Sequence, residues 1–502
     1  MVSIFSELIG LPSGLDPLVI LIIFTMITPL LSILLRRVNA EKYLGLWATL
    51  GFLLALISTF ANLPAVISSG EVMMSVAYPF LSSTIIIDLT GYFFTIIFLI
   101  ISLASALHSV NYMERDANLG NYFLLLQLMT LGLVGLTFTY DLFTFFVVWE
   151  LMAISSYVLV AFRYHLDEPV EAGVKYLLMS GLGSLIMLYG ISYVYGFTGS
   201  LNGVAISQYL STIPIIQLTF TLSLLLIGFG IKAAFFPFWT WLPDAHPAAP
   251  SPISAMLSGI VIKAGILGII RFILPSAGMI SNSLGITLAI ISALTMTTAN
   301  LLALLQDDIK RLLAYSSITN IGFILIGLSS AIYGERVIGT AAAMLHVFTH
   351  ALGKGLAFLA TGSMIYVLET RSIREVEGLG RKMPLTTATL ILSLLSLAGM
   401  PPLPGFWSKW FLIYSAIKAN LWFLAILGVL NSVLAVIFYL WLLQRLFFGE
   451  PTHKVLEEGK ESPVLIRIAL IILSAIIIII GFYPTPIYDL AVKASELFTS
   501  LI

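Results

Sequence analysis

The chain has 502 residues, of which 59% are hydrophobic and 10% charged, with a formal net charge of −1. Soluble domains carry about 25% charged residues, so this composition excludes a soluble globular protein and defines a polytopic membrane protein. The chain contains no cysteine, which excludes disulfides, thiolate metal sites and iron–sulfur clusters.

The N-terminal MVSIFSELIGLPSG lacks the basic stretch and cleavage site of a signal peptide, so the first span is expected to stay in the mature protein. Apolar runs of about 20 residues predict fourteen transmembrane helices, at 17–36, 43–63, 86–109, 121–139, 141–162, 171–196, 216–240, 252–273, 284–305, 311–331, 337–367, 384–417, 421–445 and 464–484. The run 384–417 is too long for one straight span and holds Pro401, Pro402 and Pro404, so it reads as one broken helix. Cytoplasmic connections collect Lys and Arg. Of the 24 basic residues, sixteen fall on one side of this fourteen-span arrangement and four on the other (Arg271, Arg336, Lys418 and Lys493). That bias puts both termini outside the cytoplasm. The opposite-side connections near 64–85 and 197–215 lack basic residues and have room for short strands or an amphipathic helix. The loops 368–383 and 446–463 are too short for a soluble catalytic domain, and the chain reads as a single transmembrane domain, 1–502.

The remaining four basic residues, Lys232, Lys263, Lys354 and Lys409, lie deep in apolar runs, as does one carboxylate, Glu150. A charge at mid-membrane costs roughly 2.5–3.5 kcal/mol even on insertion scales. Five facing lipid would cost on the order of 12–17 kcal/mol, so they are expected to face the interior, where intramembrane charges mark ion pathways. Burial disfavours a charged carboxylate and a nearby ammonium favours it, so a Glu150–Lys pair is a switchable site, with a structural ion pair as the alternative. Lys232 precedes Pro237 in IGFGIKAAFFPFWTW, where the proline frees the carbonyl of Ala233. Lys409 follows Pro404 in AGMPPLPGFWSKW, the same pattern in reverse order. Paired broken helices point to a transport site in proteins built from inverted repeats. Lys263 is mid-helix among Gly259, Gly265 and Gly268, about ten residues or roughly 15 Å from the helix end, too far to snorkel. His346, His350 and Lys354 recur every four residues and share one helical face. A His pair at this spacing can bind zinc, but no cysteine or spare deep carboxylate completes a ligand set, and a proton relay is the better reading. Lysine at these positions is itself informative. Arginine stays protonated, whereas buried lysine can release its proton.

The segments WELMAISSYVLVAF, KYLLMSGLGSLIMLYG, GIKAAFFPFWTWLPDAHPAAPSPISA, QDDIKRLLAYSSITNIG, HVFTHALGKGLAFLATG and PPLPGFWSKW, spread over residues 85–450, together resemble the antiporter-like subunits shared by respiratory complex I, Mrp-type cation/proton antiporters and energy-converting membrane-bound hydrogenases. The resemblance implies an all-α membrane fold of about fourteen helices. It would comprise three N-terminal helices (17–110), two inverted five-helix repeats (121–273 and 284–445) and a last helix (464–484), with the seventh and twelfth helices broken. It also implies that Glu150 and Lys232 are the family's Glu–Lys pair, Lys263 its bridging lysine, His346, His350 and Lys354 its eleventh-helix cluster, and Lys409 its terminal residue. The chain ends shortly after the fourteenth span, so it is expected to match the medium-length, D-type Mrp subunit or its hydrogenase and complex I counterparts. Such subunits carry no cofactor or catalytic redox centre. They work in the plasma membrane of prokaryotes beside other membrane subunits, moving protons at the expense of a redox module or an opposing sodium gradient. No nucleic-acid partner is expected. The rival readings are a stand-alone secondary transporter of a small solute and a non-transporting structural subunit.

Overall fold

The computed structural model describes residues 13–500 apart from 39, 71, 78–81, 204–205 and 207–212. All fourteen predicted spans are present. They are α1 (Asp16–Arg37), α2 (Tyr43–Ser69), α3 (Leu89–Tyr112), α4 (Leu119–Thr137), α5 (Leu142–Val160) and α6 (Asp167–Thr198), then α7 in two halves (Ile215–Lys232 and Leu242–Ala248). They continue as α8 (Ser251–Ile273), α9 (Ser281–Ala303), α10 (Ile309–Tyr333), α11 (Arg336–Leu368), α12 in two halves (Pro384–Ala398 and Pro404–Lys418), α13 (Trp422–Phe448) and α14 (Val464–Phe482). Helices dominate because a bilayer offers the backbone no hydrogen-bond partners, and a helix satisfies its own.

The helices differ in where their apolar surface goes. α3, α8, α10 and α11 are buried almost throughout, whereas α1, α2, α6, α13 and α14 keep much of their surface outward, toward lipid or a neighbour. The centre is therefore a rod of four helices sheathed by the others. Glycines allow the close approach. A Cβ on Gly265 of α8 would meet the Phe229 carbonyl of α7 at 2.4 Å, and one on Gly322 of α10 would meet the Met296 side chain of α9 at 2.4 Å. Around Lys263 the small residues thus serve packing rather than open space.

The long connection after α2 carries an antiparallel hairpin, β1 (Val72–Ala77) and β2 (Ser82–Ile87), as its length allowed. β2 docks on the α4–α5 turn through Ile86 N to Phe138 O (2.9 Å) and Tyr140 N to Thr84 O (2.9 Å). Part of the second long connection, 204–205 and 207–212, lies outside the described residues. Among the described residues, two further α-helices fall beyond the predicted spans. One is a short helix, His453–Glu458. The other is α15 (Thr485–Ser500), which packs Ala491, Ala494 and Phe498 against α3 and α11.

The connections predicted to be basic cluster at one end of the bundle, stitched by ion pairs between loops far apart in sequence. Arg163 pairs with Asp116 (2.8 Å), Arg371 with Glu168 (2.9 Å) and Asp308 (3.2 Å), and Lys175 and Arg311 with Asp244 (3.0 and 3.2 Å). Arg163 lies between α5 and α6. Burial works against its charge, but the Asp116 carboxylate beside it outweighs that and raises its pKa above the usual arginine value.

Candidate ion-translocation site

The first break falls earlier than Pro237 implied. α7 stops at Lys232, and Ala234 takes a left-handed φ of 59°. The chain then crosses to a short turn, Phe238–Trp241, before the second half-helix. The carbonyls stranded at this break find partners nearby. Ile231 O accepts from Trp241 Nε1 (3.0 Å), and Gly230 O accepts from Phe235 N (2.9 Å). The connection expected after residue 240 is therefore partly helical.

Lys232 is buried and donates to Tyr176 Oη (2.8 Å) and Ser180 Oγ (3.3 Å) of α6. The Tyr176 ring stacks on Trp241 at 4.1 Å. Glu150 and Lys232 make no ion pair among the described residues, so the structural-pair alternative is not realised, and the lysine bonds the hydroxyl groups of α6 instead. The Glu150 charge reaches Lys232 only through space. Nor is Glu150 as deep as the lysines. It is half-buried, on a face of α5 that exposes Val147, Ile154 and Val158, and its Oε1 has no hydrogen-bond partner.

The second group lies inside the central rod. Lys263 of α8 follows a five-residue π-helical stretch, Leu257–Val261, and its Nζ donates to the carbonyl of Ser258. A π-turn leaves carbonyls free of their usual partners, and such bulges recur at functional sites. Ser258 Oγ meets Ser317 Oγ of α10 at 2.6 Å, and the adjacent Ser316 Oγ accepts from Lys354 Nζ at 2.5 Å. Neighbouring serines on α10 thus stand beside each lysine, Ser317 bonded to the Ser258 that holds Lys263 and Ser316 bonded to Lys354. The imidazoles of His346 and His350 lie parallel, 6.0 Å between centroids, as their spacing predicted. His346 Nδ1 bonds Ser408 Oγ at 2.9 Å, one residue before Lys409.

Lys409 sits at the second break. The first half of α12 ends at Ala398 with Gly399 at φ 86°, and Lys409 Nζ donates to the freed carbonyls of Leu397 (2.9 Å) and Ala398 (3.2 Å). A cation at a helix C-terminus is favoured by the dipole as well as by these bonds. Pro401, Pro402 and Pro404 span the gap, as the sequence implied. Lys263, Lys354, Lys409 and both histidines share one electrostatic environment, whereas Lys232 has no polar contact to Lys263 among the described residues. The structure therefore separates a flanking Glu150/Lys232 site from a central axis.

Three charged or titratable groups escaped the sequence reading. Lys310, assigned to a loop, is buried, and its Nζ donates to Ala249 O (2.7 Å) past the end of the second half of α7. Arg271, assigned to the opposite surface, is buried in a bidentate pair with Asp88 (2.5 and 2.6 Å). Both sit at helix ends, where hydropathy cannot tell surface from interior. His246 is buried, both its ring nitrogens lack partners, and it stacks on Phe358 at 4.5 Å. Its charged neighbours are Lys354, Lys310 and Lys263. It thus lies between the axis and a polar cavity of about 480 Å³ at the charged end, lined by Tyr112, Asp116, Arg163, Lys310 and Arg371 among others. The Asp–Ala–His–Pro run was in view in the sequence, but a histidine in the predicted connection 241–251 gives no sign of its burial.

Broken helices carrying buried lysines around a polar axis define an antiporter-like membrane subunit. The family described as NADH:quinone oxidoreductase/Mrp antiporter, transmembrane, matches residues 139–435, and the chain belongs to it. It is 35% identical to the NADH-quinone oxidoreductase subunit N of Moorella thermoacetica, over 82% of this chain and 86% of that protein. It is 29% identical to the F(420)H(2) dehydrogenase subunit N of Methanosarcina mazei, over 91% and 93%. A chain of the membrane-bound sulfane sulfur reductase, an archaeal respiratory membrane complex, superposes with a TM-score of 0.87 at 29% identity, covering 97% of this chain and 98% of that one.

Proposed function

We propose that this subunit translocates protons along the central axis of a multisubunit, redox-driven membrane complex. The observation that carries the reading is the set of exchangeable groups gathered along this axis: Ser258 bonded to Ser317 beside Lys263, Ser316 bonded to Lys354, the parallel rings of His350 and His346, and Ser408 bonded to His346 beside Lys409. The cavity beside Lys310 serves as the inlet, and His246 receives the proton between it and the axis. Its two ring nitrogens, without a protein partner among the described residues, are free to take and pass on a proton. The break in α12 serves as the far end, where Lys409 gives up its proton.

The charged end is assigned to the cytoplasm of a prokaryotic cell by the bias of basic residues, with both termini on the opposite side. Proton rather than sodium is favoured because dehydrated sodium wants several oxygen ligands, and a single carboxylate among lysines is a poor cage. Glu150 and Lys232 flank the axis and set its charge. A carboxylate half-exposed on an apolar face within the membrane is costly against lipid, so a neighbouring subunit is assigned to cover α5 at Glu150. The redox complexes to which the relatives belong support a redox module as the energy source.

The test is proton pumping by vesicles containing the whole complex. Lys263→Ala and Lys232→Ala are expected to abolish it while complex assembly is unchanged. Pumping at the native rate in both variants would refute the reading.

A further inference from the structure

Lys354 is held by an unusual pair of partners. Its Nζ contacts Leu313 O at 2.8 Å and Ser316 Oγ at 2.5 Å, both on α10. As an ammonium it donates to both. As a neutral amine its lone pair needs a donor, and of these two only the serine hydroxyl can supply one. Ser316 therefore satisfies the lone pair of a neutral Lys354 only by reversing its hydrogen bond. When it accepts from the ammonium, its own hydrogen needs an acceptor elsewhere, and an unmade buried bond is costly.

That acceptor comes from α13. Tyr439, buried in that helix, places its hydroxyl against Ser316 Oγ. Beside Tyr439 lies the carboxamide of Asn320, whose Nδ2 donates to Ser316 O at 2.8 Å and whose buried Oδ1 has no other hydrogen-bond partner. With Lys354 charged, hydrogen bonds run from lysine to serine to tyrosine and on toward Asn320 Oδ1. With Lys354 neutral, they run from tyrosine to serine to lysine. Only two hydroxyl hydrogens rotate, and no heavy atom moves.

We infer that Tyr439 is a positioning residue for Lys354, which through Ser316 holds the amine on the axis and lets it exchange its proton without rearrangement. This rests on the proton-relay reading of Lys354 given above. The titratable groups facing Lys354 are Lys263 of α8, Lys409 of α12, His246 of α7 and His350 of its own helix. None contacts Ser316, so Tyr439 is the group that answers to this serine.

Tyr439→Phe fills the same volume but removes the acceptor that only the charged lysine requires. In the intact complex in vesicles, the alkaline limb of the pumping–pH profile is expected to move down by up to about one pH unit, the size of one buried hydrogen bond between neutral groups. Ser316→Ala should shift it at least as far, and Ser316→Thr, which keeps the hydroxyl, should restore the native profile. A native profile in Tyr439→Phe overturns the inference. Lys354→Met separates the two levels. If it abolishes pumping while Tyr439→Phe pumps with the native profile, only the positioning role fails. If Lys354→Met itself pumps normally, the relay reading fails.

Discussion

The Lys409 ammonium donates to the carbonyls of Leu397, at 2.9 Å, and Ala398, at 3.2 Å, so a residue on the second half of α12 closes the open end of the first half. A lysine here both caps a helix and can release its proton, and the two roles separate by substitution. Lys409→Arg keeps a cation at the carbonyls but cannot release its proton at physiological pH. Lys409→Arg is expected to lose pumping while the thermal stability of the complex stays near native. Lys409→Met should lose pumping and some stability as well, about 1–2 kcal/mol for stranded carbonyls. Native pumping in Lys409→Arg would reduce the residue to a structural cap.

Glu150 makes no hydrogen bond or ion pair among the described residues with Lys232, which is bonded to Tyr176 and Ser180 instead. Its influence is a through-space charge effect. At an effective dielectric near 20, a unit charge on the order of 10 Å away contributes about 1–2 kcal/mol. Glu150→Gln, which keeps the shape, is therefore expected to slow coupled pumping on the order of tenfold without altering assembly. Glu150→Asp should pump near the native rate. A Gln variant as fast as wild type would leave Glu150 without a part in coupling.

His246 supplies a test of the inlet. Its ring is stacked on Phe358 and both nitrogens are unbonded, so His246→Phe preserves the aromatic packing and removes only the capacity to carry a proton. Pumping is expected to fall at least tenfold, with subunit content and melting temperature unchanged. Lys310→Met, at the cavity wall, should slow pumping in the same direction. Unimpaired pumping in both would move the inlet away from the 480 Å³ cavity.

What the sequence made legible follows from cost. Runs of apolar residues long enough to span, and lysines too expensive to leave in lipid, stand out against a background of Ile, Leu and Phe. The fourteen spans and the burial of Lys232, Lys263, Lys354 and Lys409 were read on that ground. The proline cluster marked the break in α12. The break in α7 was set too late, because the turn is made by Ala234 in a left-handed conformation, and alanine gives no local signal for it. Lys310 and Arg271 were placed at the surface because only tertiary contacts, with Ala249 and Asp88, draw them in. The serines that join the axis were invisible for a different reason. Serine is cheap in a membrane helix, so Ser258, Ser316, Ser317 and Ser408 gain meaning only from the lysines and histidine they touch. Tyr176 and Ser180, the partners of Lys232, were invisible for the same reason.

The buried pair of Asp88 and Arg271 makes a prediction about stability. The two side chains are 2% and 0% exposed, and the carboxylate accepts from both terminal guanidinium nitrogens while capping α3 at Gly91 N (2.9 Å). Arg271 also donates to Thr137 O (3.0 Å), so one guanidinium ties the ends of α3, α4 and α8. Removing one member of such a pair leaves an uncompensated charge and costs about 3–5 kcal/mol, whereas replacing both with apolar groups is often neutral. Asp88→Asn is therefore expected to lower the melting temperature of the purified complex clearly, and the loss should persist at high salt because the site is shielded from ions. The double variant Asp88→Leu/Arg271→Leu should recover most of that loss, short of about 1 kcal/mol for the missing helix cap. A double variant as unstable as the sum of its singles would mean that the groups act independently, and that the pair is not the clasp the geometry describes.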